Sequence, residues 1–188
     1  VHGGFGLSPK FPTPHIILFL LACYERRGDA ECLKMARHSL EQMYRGGLFD
    51  HIGFGFCRYS TDGKFLVPHF EKMLYDNALL IMAYSRAHGI LEDRAEADLF
   101  LKVAERTAEY VLREMTSPDG GFYSAQDADS EGEEGKYYVF TPEEIKSVLP
   151  DHAADAFCRH FDISPRGSFE GKSILNLLSS DPFDEQFE

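Results

Sequence analysis

The chain has 188 residues, 44% of them hydrophobic, and a formal net charge of −12. That length and apolar content allow one sizeable core in one domain. The acidic balance excludes sequence-independent nucleic-acid binding, which needs basic surface to displace counterions, and it disfavours anionic membranes. The longest apolar run, Ile16 to Tyr24, is far short of the ~20 residues that span a bilayer, and no charged signal-peptide start precedes it. Cys23, Cys32, Cys57 and Cys158 show no Cys-x-x-Cys spacing, which fits a reducing compartment. A soluble, cytoplasmic protein is expected, with no nucleic-acid or membrane partner.

The opening, from Gly3-Gly4-Phe5-Gly6 to Pro9-Lys10-Phe11-Pro12, is too rich in Gly and Pro for regular structure. Thr13 followed by Pro14 predicts a cap and a first-turn proline for a helix that stops at Gly28. Its Ile16 to Tyr24 segment is apolar on every side, which predicts an inner helix surrounded by protein. Asp29 caps the next predicted helix, which ends before Gly46-Gly47 and keeps Leu33, Ala36, Leu40 and Met43 on one face, as an outer helix does. A β-hairpin around Asp62-Gly63 is followed at Pro68 by a predicted helix from His69 to about His88, stopped by Gly89. Asp93 and Glu96 form a capping-box pattern for another outer helix to about Met115, striped by Leu99, Val103, Thr107 and Val111. Tyr123 to Ala125 and Lys136 to Phe140 are expected to pair around an acidic loop. Thr141-Pro142-Glu143-Glu144 starts a short helix to Leu149, and Asp151 caps one to about Arg159. Ser173 to Leu178 is compatible with a strand or a helical turn, and Asp181 to Glu188 is expected to be loosely ordered.

Inner and outer helices alternate twice, and a Gly-Gly-hydrophobic pattern recurs at Gly3, Gly46 and Gly120, as in stacked helical hairpins. In such a stack every loop that precedes an inner helix lies at one end. Lys10 and Phe11, the ribbon carrying Arg58 and Tyr59, and the acidic loop should then share a rim with His69, Glu71, Lys72, Tyr75, Asp76 and Asn77. Six polar groups at the mouth of an apolar helix need partners, which marks a site.

The run Pro68-His69-Phe70-Glu71-Lys72-Met73-Leu74-Tyr75-Asp76-Asn77-Ala78 carries a resemblance that covers about Gly3 to Asn176. With Gly3-Gly4-Phe5-Gly6, Pro9-Lys10-Phe11-Pro12, Arg58-Tyr59-Ser60-x-Asp62 and Asp127 to Gly135, it resembles the spermatogenesis-associated protein 20 family, also called the DUF255 family. The family pattern has Gly at the position of Phe54, His or Ala at Cys57 and Trp at Phe65. The resemblance implies an all-α fold, a partial (α/α)6 toroid of the six-hairpin glycosidase type with β-hairpin excursions at one rim. It also implies that residues 1–188 are the N-terminal part of the ring, beside a thioredoxin-like domain absent from this chain. A truncated ring is expected to self-associate through uncovered inner helices.

Kinship with toroids that act on carbohydrates suggests a sugar isomerase or epimerase with a sugar-like ligand. His69, Glu71, Lys72 and Asp76 are the catalytic candidates, a His taking the proton α to an open-chain carbonyl and a cation holding the enolate oxygen. Lys10, Phe11, Arg58, Tyr59, Tyr75, Asn77, Asp127 and Asp129 are the substrate-binding candidates. The alternatives are a glycoside hydrolase built on two facing carboxylates, or a non-catalytic ligand- or protein-binding module. Asp127-x-Asp129-x-Glu131 imitates the front of a calcium loop but has Tyr138 at its twelfth position, so no metal is expected. No cofactor is expected either.

Overall fold

The computed structural model describes residues 2–182. Helices α1 (Pro14–Arg27) and α2 (Ala30–Arg45) form one hairpin, α3 (Leu74–Ile90) and α4 (Arg94–Glu114) a second. The α1 helix packs against both α2 and α3, which makes α1 and α3 the inner pair and α2 and α4 the outer one. Local chemistry sets most ends. The Asp29 carboxylate accepts the Glu31 N–H at 3.1 Å, and that of Asp93 accepts the Glu96 N–H at 3.2 Å. Gly28, at φ 68°, closes α1 through its N–H on the Tyr24 carbonyl.

The outer helices bury single stripes, Ala36, Leu40 and Met43 on α2, and Leu99, Val103, Thr107 and Val111 on α4. Tyr84 of α3 locks the layers together. Its hydroxyl donates to the Leu40 carbonyl at 2.7 Å while its ring meets Phe56 and Phe100. An ion pair between Arg37 and Glu96, 3.3 Å apart, ties α2 to α4.

Several expectations are corrected. The inner helices are not covered on every side: Phe19 is 65% exposed and Met82 56%, because no described element packs on the third side of the α1 and α3 pair. Thr13 precedes α1 but adopts φ 44°, and its hydroxyl makes no capping hydrogen bond and has no partner among the described residues. Gly89 lies within α3 rather than ending it. The α6 helix (Asp151–His160) begins at Asp151, with Pro150 in the capping position, so no side chain caps it.

The largest correction concerns residues 68–73, which are extended. Strand β1 (Tyr59–Ser60) pairs with β2 (Pro68–His69), and β3 (Lys72–Met73) pairs with β4 (Ala125–Gln126), both antiparallel. The ladder to Ala125 and Gln126 satisfies backbone groups that a helical turn would otherwise have to satisfy locally, so α3 starts only at Leu74. Asp62 does not make a two-residue turn. Its carboxylate accepts the N–H groups of Lys64, Leu66 and Val67 and so organises a wider loop. The acidic loop folds on itself as β5 (Asp129–Ser130) against β6 (Glu133–Glu134). After a 3₁₀ turn over Lys136–Tyr138, β7 (Val139–Phe140) pairs with β8 (Ser173–Ile174), not with Tyr123 to Ala125. Thr141 and Glu144 form the expected reciprocal box at the start of α5 (Pro142–Val148). The expectation for Asp181 to Glu188 falls almost wholly outside the described residues.

These short ladders stitch the loops entering α1 and α3 and the loop leaving α4 into one rim. Lys10 and Ser60 exchange backbone hydrogen bonds of 2.8 Å, and the Leu74 N–H reaches the Ser124 carbonyl at 3.0 Å.

Candidate functional site

Extended chain sends successive side chains to opposite faces, and residues 69–73 use this to build two different environments. On one face the Arg58 guanidinium donates to Glu71 Oε2 at 2.7 Å, and the Arg58 N–H donates to the Glu71 carbonyl at the same distance. The His69 ring lies flat on Tyr59, 5.1 Å between centroids, and Tyr59 in turn meets Phe11 at 5.0 Å. His69 Nδ1 is 2.7 Å from Glu134 Oε1, and Nε2 is 4.0 Å from Glu71 Oε2. A carboxylate on Nδ1 fixes the tautomer and leaves Nε2 free to accept a proton.

The first turn of α3 completes this face with Tyr75, which is exposed, and Asp76, which is buried. Burial pushes the Asp76 carboxyl up to about 6, against the opposing pull of the Tyr75 hydroxyl and the Arg58 charge. The Glu71 carboxylate and then the Tyr75 hydroxyl hold Arg58 still more firmly protonated than usual. Two buried polar atoms here, Asp76 Oδ2 and Arg58 Nε, have no hydrogen-bond partner among the described residues. Buried polar atoms are nearly always paired, so this is a face with unused bonding capacity.

The other sequence candidates lie elsewhere. Lys72 is 1% exposed and turned to the opposite face, where its ammonium donates to Asp50 Oδ2 at 2.8 Å and the Phe54 carbonyl at 2.7 Å, between the Tyr110 and Tyr138 rings. Lys10 is buried over Phe65 and donates to the carbonyls of His2 and Gly63. Asn77 clamps the Phe56 backbone, accepting its N–H at 2.7 Å and donating to its carbonyl at 3.0 Å. Asp127 and Asp129 line a polar cleft of about 320 Å³ on the Lys72 face, with Tyr110, Gln126 and Ser130. His69, Glu71, Asp76, Arg58, Tyr59, Phe11 and Tyr75 therefore form one group; Lys10, Lys72, Asn77, Asp127 and Asp129 are outside it.

Two residues were missed. Glu134 belongs to the acidic loop, yet only the folded loop shows that it, rather than Asp127 or Asp129, reaches His69. Asp50 could have been sought from the need of a buried lysine for a carboxylate. No group of three or more His, Cys, Asp or Glu side chains among the described residues is placed to hold a metal ion. Among the described residues no helix is long and apolar enough to cross a membrane.

Alternating inner and outer helices with the β excursions gathered on one rim define part of an (α/α)6 toroid. Solved structures of similar shape are the cellobiose 2-epimerase of Spirochaeta thermophila (TM-score 0.57, 22% identity, 67% of this chain and 33% of that one) and a sugar epimerase from a ruminal bacterium (0.58, 20%, 77% and 40%). At such identities the likeness is one of fold. Over the segment it matches, the chain is similar in sequence to spermatogenesis-associated protein 20. It is 38% identical to the human protein of that name across 95% of its own length, and 34% identical to the uncharacterized protein B0495.5 of Caenorhabditis elegans, again across 95%. It spans only about a quarter of those relatives, 26% and 28% of their lengths. No protein-family model matches the sequence.

Proposed function

We propose that the His69 face is the substrate rim of a sugar isomerase or epimerase acting on the open-chain form of a reducing sugar. The observation that carries this reading is the pair of unsatisfied buried atoms, Asp76 Oδ2 and Arg58 Nε, beside an imidazole whose tautomer is set by Glu134. In this scheme His69 Nε2 takes the proton from the carbon next to the carbonyl. Negative charge moves to the carbonyl oxygen, where the Arg58 guanidinium holds it. Asp76, its pKa raised to about 6, is the group that can lend and recover a proton near neutral pH. Phe11, Tyr59 and Tyr75 supply ring faces against which a sugar can lie. Lys72 is left out of the chemistry, since its donors are committed to Asp50 and Phe54.

The test is proton exchange at C2, followed by NMR in deuterated water with a panel of reducing sugars. Wild type should place deuterium at C2 of at least one aldose, and His69→Ala should slow that exchange by about a hundredfold or more. No exchange with any sugar in the panel sinks the proposal. Saturable sugar binding without exchange would instead favour a non-catalytic binding module.

A further inference from the structure

On the side of β3 away from His69 lies a cavity of about 410 Å³, which includes none of His69, Arg58, Glu71 or Asp76. We propose that it is a second binding site, for a small, uncharged, planar ring compound. Its volume falls within the range of small-molecule sites, and its walls are those of an apolar pocket: Phe49, Phe70, Tyr138, Phe140, Ile174 and Leu175. Phe70 and Tyr138 stack nearly parallel, 7° apart, and Phe49 and His51 meet edge to face, so aromatic rings make up much of the wall. Water in such a place finds few partners, and an apolar ring that displaces it gains.

The polar groups of the cavity decide the charge of the occupant. His51 is pushed down to about 4, chiefly by burial, so at neutral pH it is an uncharged imidazole. Its Nε2 faces the Gly46 carbonyl at 3.3 Å and must donate there, which leaves Nδ1 an acceptor. Asp50 is engaged by Lys72 and by the N–H groups of Ile52 and Gly53, and Lys136 by Glu131. Neither offers a free counterion. Burial also pushes the Cys57 thiol up to about 12, so it lines the cavity as an uncharged group. Arg106, whose charge also acts on His51, lies over the Phe54 ring, and with a chain charge of −12 and the acidic loop close by an anion is disfavoured against an uncharged ring. One weak ring N–H or O–H donor, toward the histidine, is what the site can use.

The experiment uses the whole protein, N-phenyl-1-naphthylamine as an uncharged fluorescent reporter, and indole and indole-3-acetate as competitors of the same ring and different charge. One saturable site is expected, from which indole displaces the reporter at least tenfold better than indole-3-acetate. Cys57→Met fills the cavity from its lining and should weaken binding at least tenfold. Should that variant fail to fold, methyl-labelled wild type gives an independent answer, because indole should shift the Ile174 and Leu175 methyl signals. The proposal is overturned by equal displacement by the two competitors, by unchanged binding in folded Cys57→Met, or by shifts at Met82 and other exposed apolar residues in place of Ile174 and Leu175. It is independent of sugar exchange at His69, so either can fail without the other.

Discussion

Glu71 and Lys72 are consecutive in the chain but belong to different sites: Glu71 bonds Arg58 at 2.7 Å on the rim, and Lys72 bonds Asp50 at 2.8 Å in the interior. The alternation of an extended segment produces the separation, and the β3 to β4 ladder holds it in register. Charge-bearing neighbours that would have shared a helical turn are thereby given opposite tasks.

Lys72 is the more severe structural dependency. Its removal leaves Asp50 with an almost buried carboxylate and no cation, and breaking a buried pair from one side costs about 3–5 kcal/mol. Lys72→Met should lower the urea midpoint accordingly. Lys72→Met with Asp50→Asn should lose clearly less than the two single losses added, because the second change removes the stranded charge. Strict additivity of the denaturation free energies would show that the pair is not coupled.

Arg58 and Glu71 should behave in the opposite way. The Arg58 side chain is 39% exposed, and exposed pairs contribute little to folding. Arg58→Met is expected to leave the melting temperature nearly unchanged while strongly reducing C2 exchange. Exchange at the wild-type rate in this variant would remove Arg58 from the chemistry, whatever the stability.

Helix caps were the most legible features of the sequence, because Asp29, Asp93 and Thr141 act on N–H groups two or three residues away. The rim was legible in outline, since the alternation of inner and outer helices sets which loops share an end. Its chemistry was not. His69 to Met73 has helical company on its C-terminal side, and what makes it extended is pairing with Tyr59, Ser60, Ala125 and Gln126, which no local signal announces. The same non-local pairing decides that Lys72 turns inward and that Glu134 meets His69. One residue sits against its own local preference: Phe54 adopts φ 67°, a conformation that favours glycine.

That backbone makes a prediction. A residue with a side chain costs roughly 1–2 kcal/mol in the left-handed region, so Phe54 is held there by what its ring gains against Phe49 and the Arg106 guanidinium. Phe54→Ala forfeits the ring and keeps the strain, whereas Phe54→Gly forfeits the ring and relieves it. Phe54→Gly should therefore be the more stable variant by about 1 kcal/mol in urea denaturation, reversing the usual order of Ala and Gly. The usual order would show that position 54 leaves the left-handed region once the ring is gone.

Asp76 ties stability to pH with a sign that can be worked out. Its folded value is raised from 3.8 to about 6, so between these values the folded chain holds a proton that the unfolded chain has released. Its contribution is thus most favourable in acid and declines as pH rises from about 4 through 6. The full shift would correspond to about 3 kcal/mol, which solvent screening at the half-open rim reduces to on the order of 1–2 kcal/mol. Asp76→Asn, uncharged at every pH, should match wild type near pH 4 and exceed it in stability by that amount at pH 7.5. Denaturation curves of both proteins across this range provide the check. If the difference stays flat with pH, Asp76 is not the titrating group, and it cannot be the proton donor of the proposed exchange.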